Sequence, residues 1–307
     1  MGAGPGFVTP PARFLTSRVS RGSDRLDGGA AVLFGAPLDI TETFRSGTHR
    51  APAVVRQVSD ALETYSPVLD RDLSEVALLD LGDLPLEGLT MQEALESISA
   101  AMAHAATIAG HAIMVGGEHT GSLGGYRGIK RIYPDALLIQ LDAHLDIREC
   151  YEGERLSHAS WVYYAGEEFG FGDIVQLGVR SGAREEWQTS RERTAWRSQE
   201  LSLPAPIRAR MQDRPLYLSI DIDVLDPAFA PGTGCLEPGG VSFRELAAFL
   251  YDLDGLRVVG LDIMEVSPSL DPVNATALAA AKLVREAVLL FSRPSVPSSG
   301  SSFLSAR

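Results

Sequence analysis

Sulfur is scarce in this 307-residue chain. Cys150 and Cys235 are its only cysteines, so no disulfide framework is expected and a reducing cytoplasm is the default setting. Long apolar runs are missing too. No segment approaches the roughly 20 residues that span a bilayer, and no secretory leader is visible, so no membrane partner is expected. The opening Met1-Gly2-Ala3-Gly4-Pro5-Gly6 lacks the hydroxyl residue that a myristoylation signal wants. Positive charge is short: 27 Lys and Arg stand against 40 Asp and Glu, a formal net charge of -13. That balance argues against nucleic acid and favours small cations through electrostatic steering, although bound metal would cancel part of it. A central linker and internal repeats are also absent. With 45% hydrophobic and 22% charged residues, the chain reads as one long globular unit.

What is present is a regular alternation. Short apolar runs at Ala31 to Phe34, Glu75 to Leu79, His111 to Val115, Ala136 to Leu141, Asp173 to Leu177, Pro215 to Ile220 and Leu256 to Ile263 read as strands. Helical patterns separate them. Pro52 sits in the first turn of one, and Thr90-Met91-Gln92-Glu93 and Ser242-Phe243-Arg244-Glu245 form capping boxes for two more. A last helix covers about Ala275 to Phe291. Strands alternating with helices imply a three-layer α/β/α sandwich around a mostly parallel sheet. Residues 1–29 read as a flexible arm, 30–292 as the domain and 293–307 as a disordered Ser-rich tail.

Four strand ends carry unusual cargo. Gly116-Gly117-Glu118-His119 supplies a histidine at a tight turn, and Asp142-Ala143-His144-Leu145-Asp146 supplies three ligand-type residues at alternate positions, which point the same way on an extended chain. Ser219-Ile220-Asp221-Ile222-Asp223 adds two carboxylates, and Leu261-Asp262-Ile263-Met264-Glu265 ends in another acid. Parallel strands bring these tips to one edge of the sheet. Taken singly, a Gly-Gly turn, a D-x-D cap or a lone glutamate needs no function. Jointly, seven ionisable groups at one edge would repel unless cations held them. Four carboxylates and two imidazoles suit divalent metals of intermediate hardness such as manganese, and the number suits a pair of ions sharing carboxylates.

These motifs resemble the arginase/agmatinase ureohydrolases, from about Gly35 to Phe291. The resemblance implies two Mn2+ per subunit, with Ni2+ or another divalent ion as alternatives. His119, Asp142, Asp146 and Asp221 would hold one ion, and Asp142, His144, Asp221 and Asp223 the other. It implies hydrolysis of a guanidino group to urea and an amine. Asp146 would orient the attacking oxygen, Glu265 would pair with the guanidinium, and a histidine would protonate the departing amine. His158, in Glu154-Arg155-Leu156-Ser157-His158, resembles the family's loop histidine, although Ala159 stands where glycine is common. His49 lies on a loop that could rim the cleft; His104 and His111 read as structural.

Two departures speak against arginine as substrate: Ile147-Arg148-Glu149-Cys150 follows Asp146, and Ser181 stands where an acid would meet an α-amino group. The segments Tyr151 to His158 and Gly178 to Glu185 look like agmatinase, which makes putrescine from agmatine, and Glu152 is a candidate contact for that dication. Arg148 would instead favour guanidinobutyrate; free guanidine, formimidoylglutamate and a non-catalytic regulatory role are further alternatives. A mononuclear zinc deacetylase would not need His119 and Asp223 together. Cys235 replaces a small hydroxyl residue and could be prone to oxidation. Relatives are commonly trimers or hexamers, so the resemblance implies a homo-oligomer.

Overall fold

The computed structural model describes residues 6–20, 26 and 29–292. Nine strands form one sheet: β1 (Arg18–Val19), β2 (Ala31–Ala36), β3 (Leu78–Asp83), β4 (His111–Gly116), β5 (Leu137–Leu141), β6 (Ile174–Leu177), β7 (Trp196–Ser198), β8 (Leu216–Asp221) and β9 (Val258–Met264). Their order is β1-β3-β2-β4-β9-β8-β5-β6-β7, and every pairing is parallel. The helices are α1 (Ala51–Ser59), α2 (Met91–Ile108), α3 (Gly121–Ile132), α4 (Trp161–Phe169), α5 (Arg184–Arg193), α6 (Ala205–Met211), α7 (Phe243–Asp252) and α8 (Ala275–Phe291). Among the described residues no helix is long and apolar enough to cross a membrane.

Both sheet faces are apolar, as a parallel sheet with two covered faces requires. Leu33, Ile113, Ile139, Leu218 and Leu261 pack beneath α1, α7 and α8, while Val32, Ala112, Met114, Leu138 and Tyr217 pack beneath α2, α3 and α4. The expected α/β/α sandwich is therefore present. Both capping boxes form, Thr90 with Glu93 and Ser242 with Glu245.

Two features depart from the sequence reading. The strand expected at Glu75 to Leu79 runs instead through the presumed turn to Asp83. Its buried Asp80 is neutralised by Arg56, whose Nε and Nη2 donate to it at 2.8 and 2.9 Å, so a charge inside the strand is tolerated. The expected N-terminal arm is partly built into the fold. Arg18–Val19 pairs with Leu79 and Asp80, and Phe14 is fully buried. This pairing covers the open edge that β3 would otherwise present. The expected tail, 293–307, lies outside the described residues. Helix α3 is rich in glycine, a weak helix former. Gly124 and Gly128 let it press onto α2, where a Cβ would meet Ile98 Cβ at 2.9 Å and Ser99 O at 2.6 Å.

The four central strands are β4, β9, β8 and β5, and their carboxyl ends carry His119, Glu265, Asp221 with Asp223, and Asp142 to Asp146. Open parallel sheets bind ligands at this edge.

Candidate metal centre

The turn after β4 is set by a close backbone approach: a Cβ on Gly117 would lie 1.8 Å from Leu38 O. That turn delivers His119 into the interior, 1% exposed. Its Nδ1 lies 3.1 Å from Asp142 Oδ2, 3.1 Å from Asp146 Oδ2 and 3.2 Å from Asp221 Oδ2. Its Nε2 lies 2.9 Å from Ser219 Oγ. The Ser219 hydroxyl donates its one proton to Asp262 Oδ1 at 2.8 Å, and Tyr217 also donates to Asp262. Ser219 therefore accepts from His119 Nε2–H, which fixes the ring orientation and turns Nδ1 toward the acids.

Nδ1 is buried and has no hydrogen-bond partner in spite of three nearby oxygens. Burial opposes a charge on His119, yet Asp142, Asp146 and Asp221 hold its pKa well above the ordinary histidine value. The point they surround demands positive charge, and the donor set of one imidazole and three carboxylates fits a divalent cation. A second group adjoins the first. His144 Nδ1 lies 2.9 Å from Asp223 Oδ2 and 3.7 Å from Asp142 Oδ1. The ligand atoms within each of the sets His119, Asp142, Asp146 and Asp142, His144, Asp223 lie within 4.8 Å of one another, and Asp142 belongs to both. One carboxylate thus offers Oδ2 to one set and Oδ1 to the other.

Backbone donors hold these acids in place. Ala143 N donates to Asp223 Oδ1 at 3.0 Å, tying the β5 tip to the β8 tip, and Asp223 N donates to Asp221 Oδ1 at 2.8 Å. Burial and the neighbouring Asp223 and Asp142 push Asp221 well above the carboxylate range. Burial and Asp142 push Asp146 up to about 7. Asp146 and Glu265 sit in the left-handed region at φ 50 and 63, strain of the kind stored at functional sites. Asp146 Oδ2 accepts from Trp161 Nε1 at 3.0 Å, and Glu265 Oε1 accepts from His119 N at 2.6 Å.

These groups floor a cleft of about 440 Å³ whose walls include Glu42, Phe44, Arg45, Tyr151, His158, Ser181 and Cys235. His158 N donates to Thr41 Oγ1 at 3.2 Å, and its Nδ1 lies 3.4 Å from the same oxygen. Thr41 donates in turn to Glu118 Oε1 at 2.6 Å. Burial lowers the His158 pKa below the ordinary value.

The remaining expected residues take different places. Glu152 is exposed at a turn and is not among the residues that line the cleft. Arg148 lines the cleft, but its Nε donates to Glu186 at 2.9 Å and its guanidinium stacks on Tyr151 at 4.7 Å. His49 points outward and bonds Asp39 at 2.7 Å. Cys235 lines the cleft as an exposed free thiol. His111 is a structural histidine: it bonds Val258 O at 3.1 Å, and burial lowers it to about 4. Sequence reasoning missed Glu42, Thr41 and Trp161, which no local pattern marks, and left the parts of Ser219 and Asp262 unread although both stand inside quoted motifs.

Ser219→Ala removes the acceptor that orients His119. Divalent affinity is expected to fall by about 10- to 100-fold, the usual effect of such outer partners. Metal titration followed by elemental analysis reads this directly; unchanged affinity would remove the orienting role.

The profile of the arginase family matches residues 29–290. An agmatinase from Halalkalibacterium halodurans is 40% identical over 263 residues, covering 84% of this chain and 91% of that protein. A guanidinobutyrase from Pseudomonas aeruginosa is 32% identical over 277 residues, covering 85% and 86%. The solved proclavaminate amidino hydrolase from Streptomyces clavuligerus superposes with a TM-score of 0.80 at 27% identity, over 91% of this chain and 96% of that one. Matching sequence over most of its length, with a shared sheet and candidate ligand groups at the strand tips, this chain belongs to the arginase family.

Proposed function

We propose that this chain hydrolyses agmatine to urea and putrescine with two manganese ions, one held by His119, Asp142, Asp146 and Asp221 and the other by Asp142, His144, Asp221 and Asp223. The observation that carries this reading is Asp142, one buried carboxylate shared by two candidate ligand groups beside a cleft of about 440 Å³. When bound, such a pair supplies Lewis acidity and brings the pKa of water near neutrality.

The residues divide the remaining work. Glu265, at the cleft floor, pairs with the flat guanidinium and presents its carbon to the attacking oxygen. Asp146 Oδ accepts a hydrogen bond from the attacking water and orients it. Burial keeps the His158 imidazole neutral at rest. Its Nδ1–H is turned to Thr41, so Nε2 takes the proton released on attack and passes it to the departing amine.

Substrate choice follows from the walls. Agmatine has no carboxylate, and the arginine that could have bound one, Arg148, is already engaged by Glu186 and Tyr151. Arg45 keeps guanidinobutyrate as the second reading, although its Nε is spent on Gly234 O at 3.0 Å. The test is urea release from agmatine, guanidinobutyrate and arginine with Mn2+ or Ni2+. Agmatine is expected to have the highest kcat/KM; a preference for guanidinobutyrate would transfer the assignment to that acid. The reading includes a cytoplasmic homo-oligomer, a trimer or hexamer, which light scattering measures.

A further inference from the structure

The loop between β2 and α1 brings to the cleft a carboxylate that the roles above leave unused. Glu42 and Glu265 both line the cleft, and their carboxyls lie within hydrogen-bonding reach of each other. Glu42 Oε1 is buried with no hydrogen-bond partner. Burial pushes Glu42 up to about 7. Two acids line this part of the cleft, and Glu42 keeps one buried acceptor oxygen without a donor. A guanidinium carries five N–H donors around a plane. One carboxylate covers one edge of that plane, so Glu265 alone leaves donors unpaired in a part of the cleft shielded from water.

The loop is held so that Glu42 points inward. Asp39 Oδ2 accepts from Gly47 N at 2.8 Å and from His49 at 2.7 Å, Thr41 N donates to Glu118 at 2.6 Å, and Arg45 Nε reaches Gly234 O. Gly47, at φ 129, passes beneath Ser269, whose Oγ would lie 2.5 Å from a Cβ. A side chain at Gly234 would press on Glu42 Oε2 at 3.3 Å, so glycine leaves the carboxylate its room. A carboxylate fixed before binding loses little entropy when a cation arrives.

We propose that Glu42 is a second carboxylate for the substrate guanidinium, facing Glu265, and that the pair selects a planar cation over a compact ammonium. The inference rests on the ureohydrolase reading of the same cleft. A point-like ammonium cannot fill two carboxylates along separate edges as a planar fork does.

The test uses methylguanidine as the probe, titrated calorimetrically into the metal-loaded protein. Glu42→Gln is expected to weaken methylguanidine binding by about tenfold or more, the scale of a charge-assisted hydrogen bond. The KM for agmatine should rise by a similar factor, kcat should change less than KM, and metal content should stay at the wild-type value. Glu42→Asp, which keeps the charge, should retain more affinity than Glu42→Gln. Methylguanidine affinity within about twofold of wild type in Glu42→Gln, at unchanged metal content, would overturn the proposal, as would equal losses in the Asp and Gln variants. Absence of urea release from agmatine by the wild-type protein would overturn the function reading instead, and the methylguanidine comparison would still decide Glu42.

Discussion

Asp142→Asn is expected to abolish urea release and to strip divalent metal from the protein. Asp142 is fully buried and belongs to both compact groups of ligand atoms, His119, Asp142, Asp146 and Asp142, His144, Asp223. Its two oxygens already accept hydrogen bonds, Oδ2 from Gln140 Nε2 at 2.6 Å and Oδ1 from His144 N at 2.6 Å. An asparagine must turn an NH2 group toward one of these donors, leaving a buried donor facing a donor, and it removes the negative charge shared by the two sets. Each ion supplies several kcal/mol of charge stabilisation to such a reaction. Loss of the shared ligand should therefore lower kcat/KM by more than about 10³-fold, roughly 4 kcal/mol. Elemental analysis should find at most one ion per subunit. A variant that keeps both ions and full turnover would sink the shared-ligand role of Asp142.

The second large effect is expected from His158→Ala. The ring lies on the cleft wall, held by Thr41 and edge-on to Tyr151 at 5.6 Å, and it belongs to neither ligand group. Both ions should therefore stay bound while kcat falls by about 10²- to 10⁴-fold, the usual contribution of a positioned acid–base group. Burial lowers the His158 pKa, so protonation abolishes the resting base only below its ordinary range near 6.5. Any acid limb in the ratio of wild-type to alanine-variant kcat should accordingly lie below that range. Added imidazole should restore part of the lost rate in the alanine variant. A kcat within about threefold of wild type would refute the proton-transfer role.

That the acids and histidines would gather at one sheet edge was legible because a strand tip places the residues after it. Asp142, His144 and Asp146 follow the end of β5 at alternate positions, although Asp146 at φ 50 shows that the segment converges as a loop and not as an extended strand. A strand tip in a parallel sheet has one preferred use, so the convergence of His119, Asp221 and Glu265 could also be anticipated. Edge strand β7 was not legible, since three residues, Trp196–Ser198, carry too little pattern to register. Strand β3 was misplaced because Asp80 reads as a turn residue until Arg56, 24 positions away, is found beside it. Glu152 looked like a substrate contact because charge is visible in a sequence and the direction of a loop is not.

Glu42 shows the limit most plainly. Nothing in Thr41-Glu42-Thr43-Phe44 separates it from a solvated glutamate. Its place depends on Glu118, whose carboxylate binds Thr41 N across 77 positions of chain, and on the space left by Gly234. The order of amino acids, through backbone periodicity of two and of 3.6, determined the layered architecture and the residue types gathered at one sheet edge. Only tertiary contact decided which nitrogen of His119 faces the carboxylates, that Arg148 Nε is paired with Glu186, and that Glu42 and Glu265 line the same cleft. Periodicity is a property of neighbouring residues, whereas a hydrogen-bond partner is chosen by packing that joins segments far apart in the chain.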